Sequence, residues 1–276
     1  MDKKGGKPML IAMQDIVKTR QQGAGYSLHV RHLALEEGAK VAIAGPSGCG
    51  KSTLLDLLGM VLSPDSGKVF RFSPKGSQAD ILKLWAAGNT DAMARLRLKH
   101  IGYVLQTGGL LPFLSVADNM ALTGRMNGLQ EKELEKRVTS LAKSLDIFHL
   151  LSSLPASLSI GERQRAAIGR ALAPHPSLIL ADEPTAALDP LHAERVLQEF
   201  IHAADRLHST LVMVTHDTAL AQRSGLTIIH FSLSQGQNGS VHAILDDRIP
   251  PPKNIQHPRI MQEQAGLQKT LGGDAR

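Results

Sequence analysis

Nine consecutive residues, Gly45-Pro46-Ser47-Gly48-Cys49-Gly50-Lys51-Ser52-Thr53, satisfy the pattern G-x-x-x-x-G-K-[ST], and they restrict the fold more than any other feature of the chain. Such a loop works only where a strand hands over to a helix, because several backbone amides must converge on a phosphate chain and the helix N-terminus must add its dipole. The flanks agree. Residues 40–44 form a short β-rich run, and residues 50–60 carry Leu54, Leu55, Leu57 and Leu58 at helical spacing. Gly48 and Gly50 remove side chains that would block a phosphate, Lys51 is placed to reach β- and γ-phosphates, and the Ser52 hydroxyl suits Mg²⁺. All nine residues are candidates for nucleotide contact, with Cys49 a bystander in the chemistry. The loop by itself specifies a nucleoside triphosphate and nothing more.

The remaining periodicity predicts an α/β fold built on a phosphate-loop core. Residues 9–17 and 27–35 alternate as an opening antiparallel hairpin around the Gly-containing stretch 21–25, and residues 68–72 add another strand after a turn at 64–67. Residues 79–99 read as an amphipathic helical stretch interrupted near Gly88 and Asn89. From 115 to 151 the pattern is helical, with Leu134, Val138, Leu141 and Leu145 on one face and Glu131, Lys132, Glu135 and Lys136 on another. Strand patterns at 177–181, 210–215 and 227–231 then alternate with helical stretches at 161–172 and 191–207, which argues a mainly parallel, covered sheet. Only 3% of residues are aromatic, so the core must come from Leu, Ile, Val, Ala and Met. The expected organisation is one domain over 1–248, with an N-terminal antiparallel β subdomain and a helical subdomain at about 107–172. Residues 249–276, opening with Pro250, Pro251 and Pro252, read as a disordered tail.

Lys and Arg number 31 against 25 Asp and Glu, a net charge of +6 that would suit a polyphosphate, an anionic membrane surface or nucleic acid. No dense basic block with interleaved aromatics accompanies it, so no nucleic-acid partner is expected. The single Cys49 cannot form an internal disulfide, which favours a reducing compartment. No run approaches the roughly 18 to 20 apolar residues of a membrane span. The opening residues are charged and interrupted by Gly and Pro, unlike a signal peptide, so a link to a membrane is expected to run through another protein.

Hydrolysis needs a carboxylate on the metal side and a base for water, and the strand-like run Leu178-Ile179-Leu180-Ala181-Asp182-Glu183 offers both. Asp182 would hold Mg²⁺ through its water shell, and Glu183, one residue beyond the strand, would deprotonate the attacking water. A third element, Leu158-Ser159-Ile160-Gly161-Glu162-Arg163-Gln164-Arg165, stands shortly before that strand and resembles the signature loop of the ABC ATPase family. The resemblance extends over about 9–245. It implies ATP and Mg²⁺ as ligands and a second copy of the chain in a head-to-tail dimer, in which Ser159 and Gly161 contact the partner's γ-phosphate. Two positions depart from the family pattern: Ile160 stands where Gly is usual, and Glu162 where Gln is usual. Ile160 raises the question of backbone strain, because a β-branched residue does not adopt positive φ cheaply.

The same resemblance implies further roles. Gln106 corresponds to a loop residue that senses Mg²⁺ and water, His216 to a switch histidine supporting Glu183, and Asp189 to a loop crossing the dimer. The base-stacking aromatic of the family is replaced by Arg20, whose planar guanidinium can also stack on a base. Tyr26 is the nearest aromatic and an alternative for that contact, or equally a core or hairpin residue. Residues 96–106 with 110–116 resemble the lipoprotein-releasing and macrolide-export ATPases. That resemblance implies membrane-spanning permease partners, a position on the cytoplasmic face, and export or extraction of a lipophilic cargo. A single phosphate loop argues against the tandem translation-type members, and the absence of a sustained heptad run argues against the repair type. A membrane regulatory complex of cell-division type stays open as an alternative. Residues 76–90 exceed the family pattern, as a permease contact or as a neutral surface loop.

Overall fold

A computed structural model of the chain describes residues 7–20, 25–235 and 241–248. The chain opens with β1 (Met9–Arg20) and β2 (Tyr26–Glu36), an antiparallel pair in which Ile16 faces Val30 and Met13 faces Leu33. β3 (Lys40–Ala44) leads into α1 (Lys51–Leu58), and β4 (Val69–Phe72) and β5 (Ala79–Asp80) extend the hairpin sheet. Next come α2 (Ile81–Ala86), α3 (Thr90–His100) and β6 (Ile101–Val104), followed by the helices α4 (Val116–Met126), α5 (Glu131–Ser144) and α6 (Ile160–Leu172). β7 (Leu178–Asp182), α7 (Pro190–Arg206), β8 (Thr210–Thr215), α8 (Thr218–Arg223), β9 (Thr227–Gln235) and β10 (Val241–Asp246) complete the described elements.

All ten strands form one sheet in the order β5-β4-β1-β2-β10-β9-β3-β8-β7-β6. From β9 to β6 the pairing is parallel, as the β/α alternation predicted, while β5, β4, β1 and β2 are antiparallel neighbours. β9 joins the two regimes. Its first half, through His230, runs parallel to β3, and its second half, from Phe231, pairs antiparallel with β10, which runs parallel to β2.

The parallel strands are buried on both faces, so their side chains alternate between two cores. Ala42, Ile179, Ala181, Leu211 and Met213 face the core shared with α4, α5, α6 and α7, whereas Val41, Ile43, Leu178, Leu180, Val212 and Val214 face α1 and the hairpin. On α7 the buried set Ala193, Val196, Leu197, Phe200, Ile201, Ala203 and Ala204 recurs every three to four residues, the stripe one helix face presents to a core. Short polar residues start most helices: Asp80, Asn89, Ser115, Ser159, Asp189 and Asp217 each accept a first-turn amide.

Three elements lie outside the periodicity reading: β6, β10 and α8. Each is short or interrupted, and β6 contains Gly102, a residue that weakens a strand signature. At Gly102 a Cβ would lie 2.3 Å from the Ala171 carbonyl oxygen, so glycine there lets α6 approach the sheet. The interruption expected at Gly88 and Asn89 is the boundary between α2 and α3, with Gly88 at φ 60° and Asn89 capping α3. Residues 79–80, expected as helix, pair instead with Arg71 and Phe72 of β4. The expected tail at 249–276 lies outside the described residues.

Candidate nucleotide-hydrolysing site

The nine-residue loop crosses from the end of β3 to the start of α1, and each of its glycines has its own reason. A Cβ on Gly45 would lie 2.6 Å from Cys49 Sγ, and one on Gly50 would lie 1.5 Å from the Tyr26 hydroxyl oxygen. Gly48 and Gly50 also take φ values of 77° and 90°, a region L side chains rarely enter. Cys49 points inward and is 1% exposed, and burial pushes its thiol pKa up, so it is a neutral packing residue beneath the loop. The Tyr26 hydroxyl donates to the Cys49 carbonyl at 2.9 Å, and the ring closes one side of the loop. Lys51 Nζ donates to the carbonyls of Gly45 and Pro46 at 2.9 and 3.1 Å, which holds the ammonium over the loop's own curve. No side chain caps α1, and its first turn carries no acid, so its N-terminal dipole is left unneutralised, as an anion site requires.

A cavity of about 550 Å³ opens there, lined by Ser47, Gly48, Gly50, Lys51, Ser52 and Thr53 from the loop and helix, and by Arg20, Gly25, Tyr26, Val241 and Glu183 around them. Arg20 is the last residue of β1 and pairs with Asp56 of α1 at 3.6 Å. Tyr26 also lines the cavity, but its hydroxyl is committed to the loop. From the sequence Tyr26 could be a base-stacking aromatic or equally a core or hairpin residue, and the bond of its hydroxyl to the loop is a structural finding.

β7 brings the acidic pair to the same mouth. Ser52 Oγ donates to Asp182 Oδ2 at 3.2 Å. Burial is the main cause of a raised Asp182 pKa, and the neighbouring Glu183 and Asp56 carboxylates push in the same direction. A hydroxyl and a carboxylate at this separation are hard oxygen donors of the kind Mg²⁺ takes, so the residues present fit that ion. Glu183 sits in the left-handed region at φ 44°, its amide bonded to the Val214 carbonyl at 3.1 Å. A non-glycine residue held there costs on the order of 1–3 kcal/mol, and such strain collects at functional positions. The strained turn aims the carboxylate between the large cavity and a second one of about 190 Å³ containing Thr215, His216 and Asp217. His216 Nδ1 lies 3.1 Å from Glu183 Oε1, the histidine well exposed and the carboxyl mostly covered.

Other candidates lie apart from this mouth. Gln106 is exposed just beyond β6 and makes no hydrogen bond among the described residues. It stands two residues after Val104, the last paired residue of β6, whose partner Ala181 is two residues before Glu183. Ser159 caps α6 and forms a capping box with Glu162: Glu162 Oε2 accepts from the Ser159 amide and hydroxyl, each at 2.8 Å. Ile160, the first residue of α6, is not among the residues of positive φ, which removes the strain its β-branched side chain would otherwise carry. It is 52% exposed, and Gly161 beside it has open space apart from Leu188 and Arg165. Asp189 is exposed at the start of α7, bonded to the amide and ring of His192. None of Ser159, Gly161 and Asp189 lines the cavity of its own chain.

Fold and site together define a phosphate-loop nucleoside triphosphatase with a mixed β subdomain and a helical layer. Residues 28–186 match the sequence profile of the ABC transporter family, and the chain belongs to that family as an ATP-binding, ATP-hydrolysing subunit. It is 37% identical over 205 residues to the lipoprotein-releasing system ATP-binding protein LolD of Treponema denticola, covering 74% of this chain and 85% of that protein. It is 36% identical to the uncharacterized ABC transporter ATP-binding protein YvrO of Bacillus subtilis, covering 79% and 92% respectively. Among solved structures, the ATP-binding cassette MJ0796, dimeric in a post-hydrolysis state with ADP and Pi, superposes with a TM-score of 0.66 at 30% identity, covering 84% of this chain and 96% of that one. CbiO1 of Clostridium perfringens, part of the transporter complex CbiONQ, shares the fold with a TM-score of 0.69 at 23% identity, covering 96% and 95%. A dimeric ATPase working with membrane permease partners is the general arrangement these relatives support. No helix among the described residues is long and apolar enough to cross a membrane.

Proposed function

We propose that two copies of this chain bind ATP head to tail, at the cytoplasmic face, and drive membrane-spanning partners that export or extract a lipophilic cargo such as a lipoprotein. The observation that carries this reading is the convergence of the α1 N-terminus, Lys51, the Ser52–Asp182 pair and the strained Glu183 on one cavity. The loop amides and Lys51 bind the phosphates. Ser52 and Asp182, with Gln106 at the edge, would hold Mg²⁺, which when bound neutralises charge on the phosphate oxygens. Glu183 accepts the proton of the attacking water, and His216 fixes the Oε1 end of that carboxylate. Arg20 offers a planar cation to the base at the outer rim, while Tyr26 buttresses the loop. Ser159, Gly161 and Asp189 do not line their own cavity, which supports their use against a second copy. Similarity of 35–37% to LolD proteins across most of their length supports the cargo class.

Glu183→Gln tests the centre. Turnover is expected to fall by about 10²- to 10⁴-fold, with ATP binding kept and a Mg²⁺-ATP dimer visible by size-exclusion chromatography with light scattering. Unchanged turnover would remove Glu183 from the mechanism. For the cargo, the complex with its permease in proteoliposomes should release a lipoprotein to an acceptor on adding ATP. A complex that hydrolyses ATP and moves nothing would point to the membrane regulatory reading.

A further inference from the structure

Arg170, near the end of α6, is a partly buried guanidinium with no carboxylate beside it. Its only partners among the described residues are two consecutive backbone carbonyls: Nη1 donates to Gly109 O at 2.6 Å and Nη2 to Gly108 O at 3.0 Å. Both glycines have positive φ, 76° and 59°, so the two carbonyls are turned toward Arg170 by a backbone conformation that other residues rarely adopt. A Cβ on Gly109 would lie 2.8 Å from Leu105 Cδ1 and 3.6 Å from Arg170 Nη2. These glycines directly follow Gln106 and Thr107, so the fork grips the loop that carries Gln106. At its other end α6 carries the Ser159 cap and Gly161, and a helix of 13 residues is a rod about 20 Å long. The seam also holds a donor that it does not use: Gln164, 5% exposed and next to Gly108, leaves Nε2 without a partner.

We propose that Arg170 is a positioning residue that fastens the Gln106 loop to α6 and so holds Gln106 in place for turnover. This rests on the reading of Gln106 as the edge of the hydrolytic site. The charge stays on the helix without an acid to balance it because its task is a two-pronged grip on backbone by two nitrogens held in a rigid planar fork, a geometry that the flexible Lys ammonium does not offer.

A double-mutant cycle on the full chain tests this, with Gln106→Ala, Arg170→Lys and the pair measured for ATPase kcat, KM and thermal midpoint, and Gly109→Ala as a second variant reaching the same seam from the loop side. Arg170→Lys is expected to lower kcat about tenfold with KM for ATP little changed, and the pair is expected to be no slower than Gln106→Ala alone. Gly109→Ala should reproduce the kcat loss. If Gln106→Ala slows turnover while Arg170→Lys and Gly109→Ala do not, or if the losses multiply, the fastening role is wrong. If Gln106→Ala itself leaves turnover unchanged, the site reading beneath the proposal fails, and the proposal with it.

Discussion

A methyl group added at Gly50 tests how the phosphate loop is held. Its Cβ would lie 1.5 Å from the Tyr26 hydroxyl oxygen and 2.6 Å from the ring carbon that bears it, at φ 90°. Two costs follow. The left-handed backbone costs an L-residue about 1–2 kcal/mol whatever surrounds it. Resolving the overlap forces Tyr26 away from the Cys49 carbonyl, now 2.9 Å from its hydroxyl, and forfeits a hydrogen bond worth about 1 kcal/mol. Gly50→Ala should therefore cost about 2–3 kcal/mol in the native background, and only the backbone share of about 1–2 kcal/mol once Tyr26→Ala has cleared the space. Urea denaturation of the four proteins in the cycle reads this difference directly. Tyr26→Phe isolates the hydrogen bond, and is expected to weaken ATP binding by about fivefold through a looser loop. An equal cost of Gly50→Ala in both backgrounds would mean that Tyr26 does not press on the loop, and the buttress argument would be lost.

His100 is buried against Phe72, and burial, then Lys99 and Lys75, depress its pKa to about 4. The unfolded state therefore binds the extra proton between pH 6.5 and about 4, so this stability is present above pH 6.5 and is lost as pH falls to 4, at most about 3 kcal/mol. His100→Gln should flatten the acid limb of a plot of thermal midpoint against pH, and an unchanged limb would exclude His100 as its source. Gly102→Ala pushes a Cβ to 2.3 Å from a backbone oxygen of α6 and is expected to destabilise by about 1–3 kcal/mol in urea. Ser159→Ala removes one side of the capping box and should cost about 1 kcal/mol of stability while also reducing ATP-dependent dimerisation; a loss of stability alone would confine Ser159 to capping.

What the sequence revealed, and what it hid, divides along a physical line. The phosphate loop was legible because every constraint on it is local: Gly48 and Gly50 satisfy a dihedral requirement, and the strand before them and the helix after them announce themselves by periodicity. Asp182 and Glu183 were legible for the same reason, as polar residues terminating a fully buried strand. Contacts made across long separations were not. The Tyr26 hydroxyl meets a carbonyl 23 positions away, and Arg170 meets carbonyls 61 and 62 positions away. No spacing rule points from one to the other, since the pairs are created only when β2 lies beside β3's loop and α6 lies beside β6. The same holds for β10, six residues whose place between β2 and β9 depends on pairing rather than on a pattern of its own. Ile160 shows the converse error. Read as a substitution for glycine it threatened strain, but the Ser159–Glu162 box starts the helix one residue earlier and puts Ile160 in ordinary helical geometry.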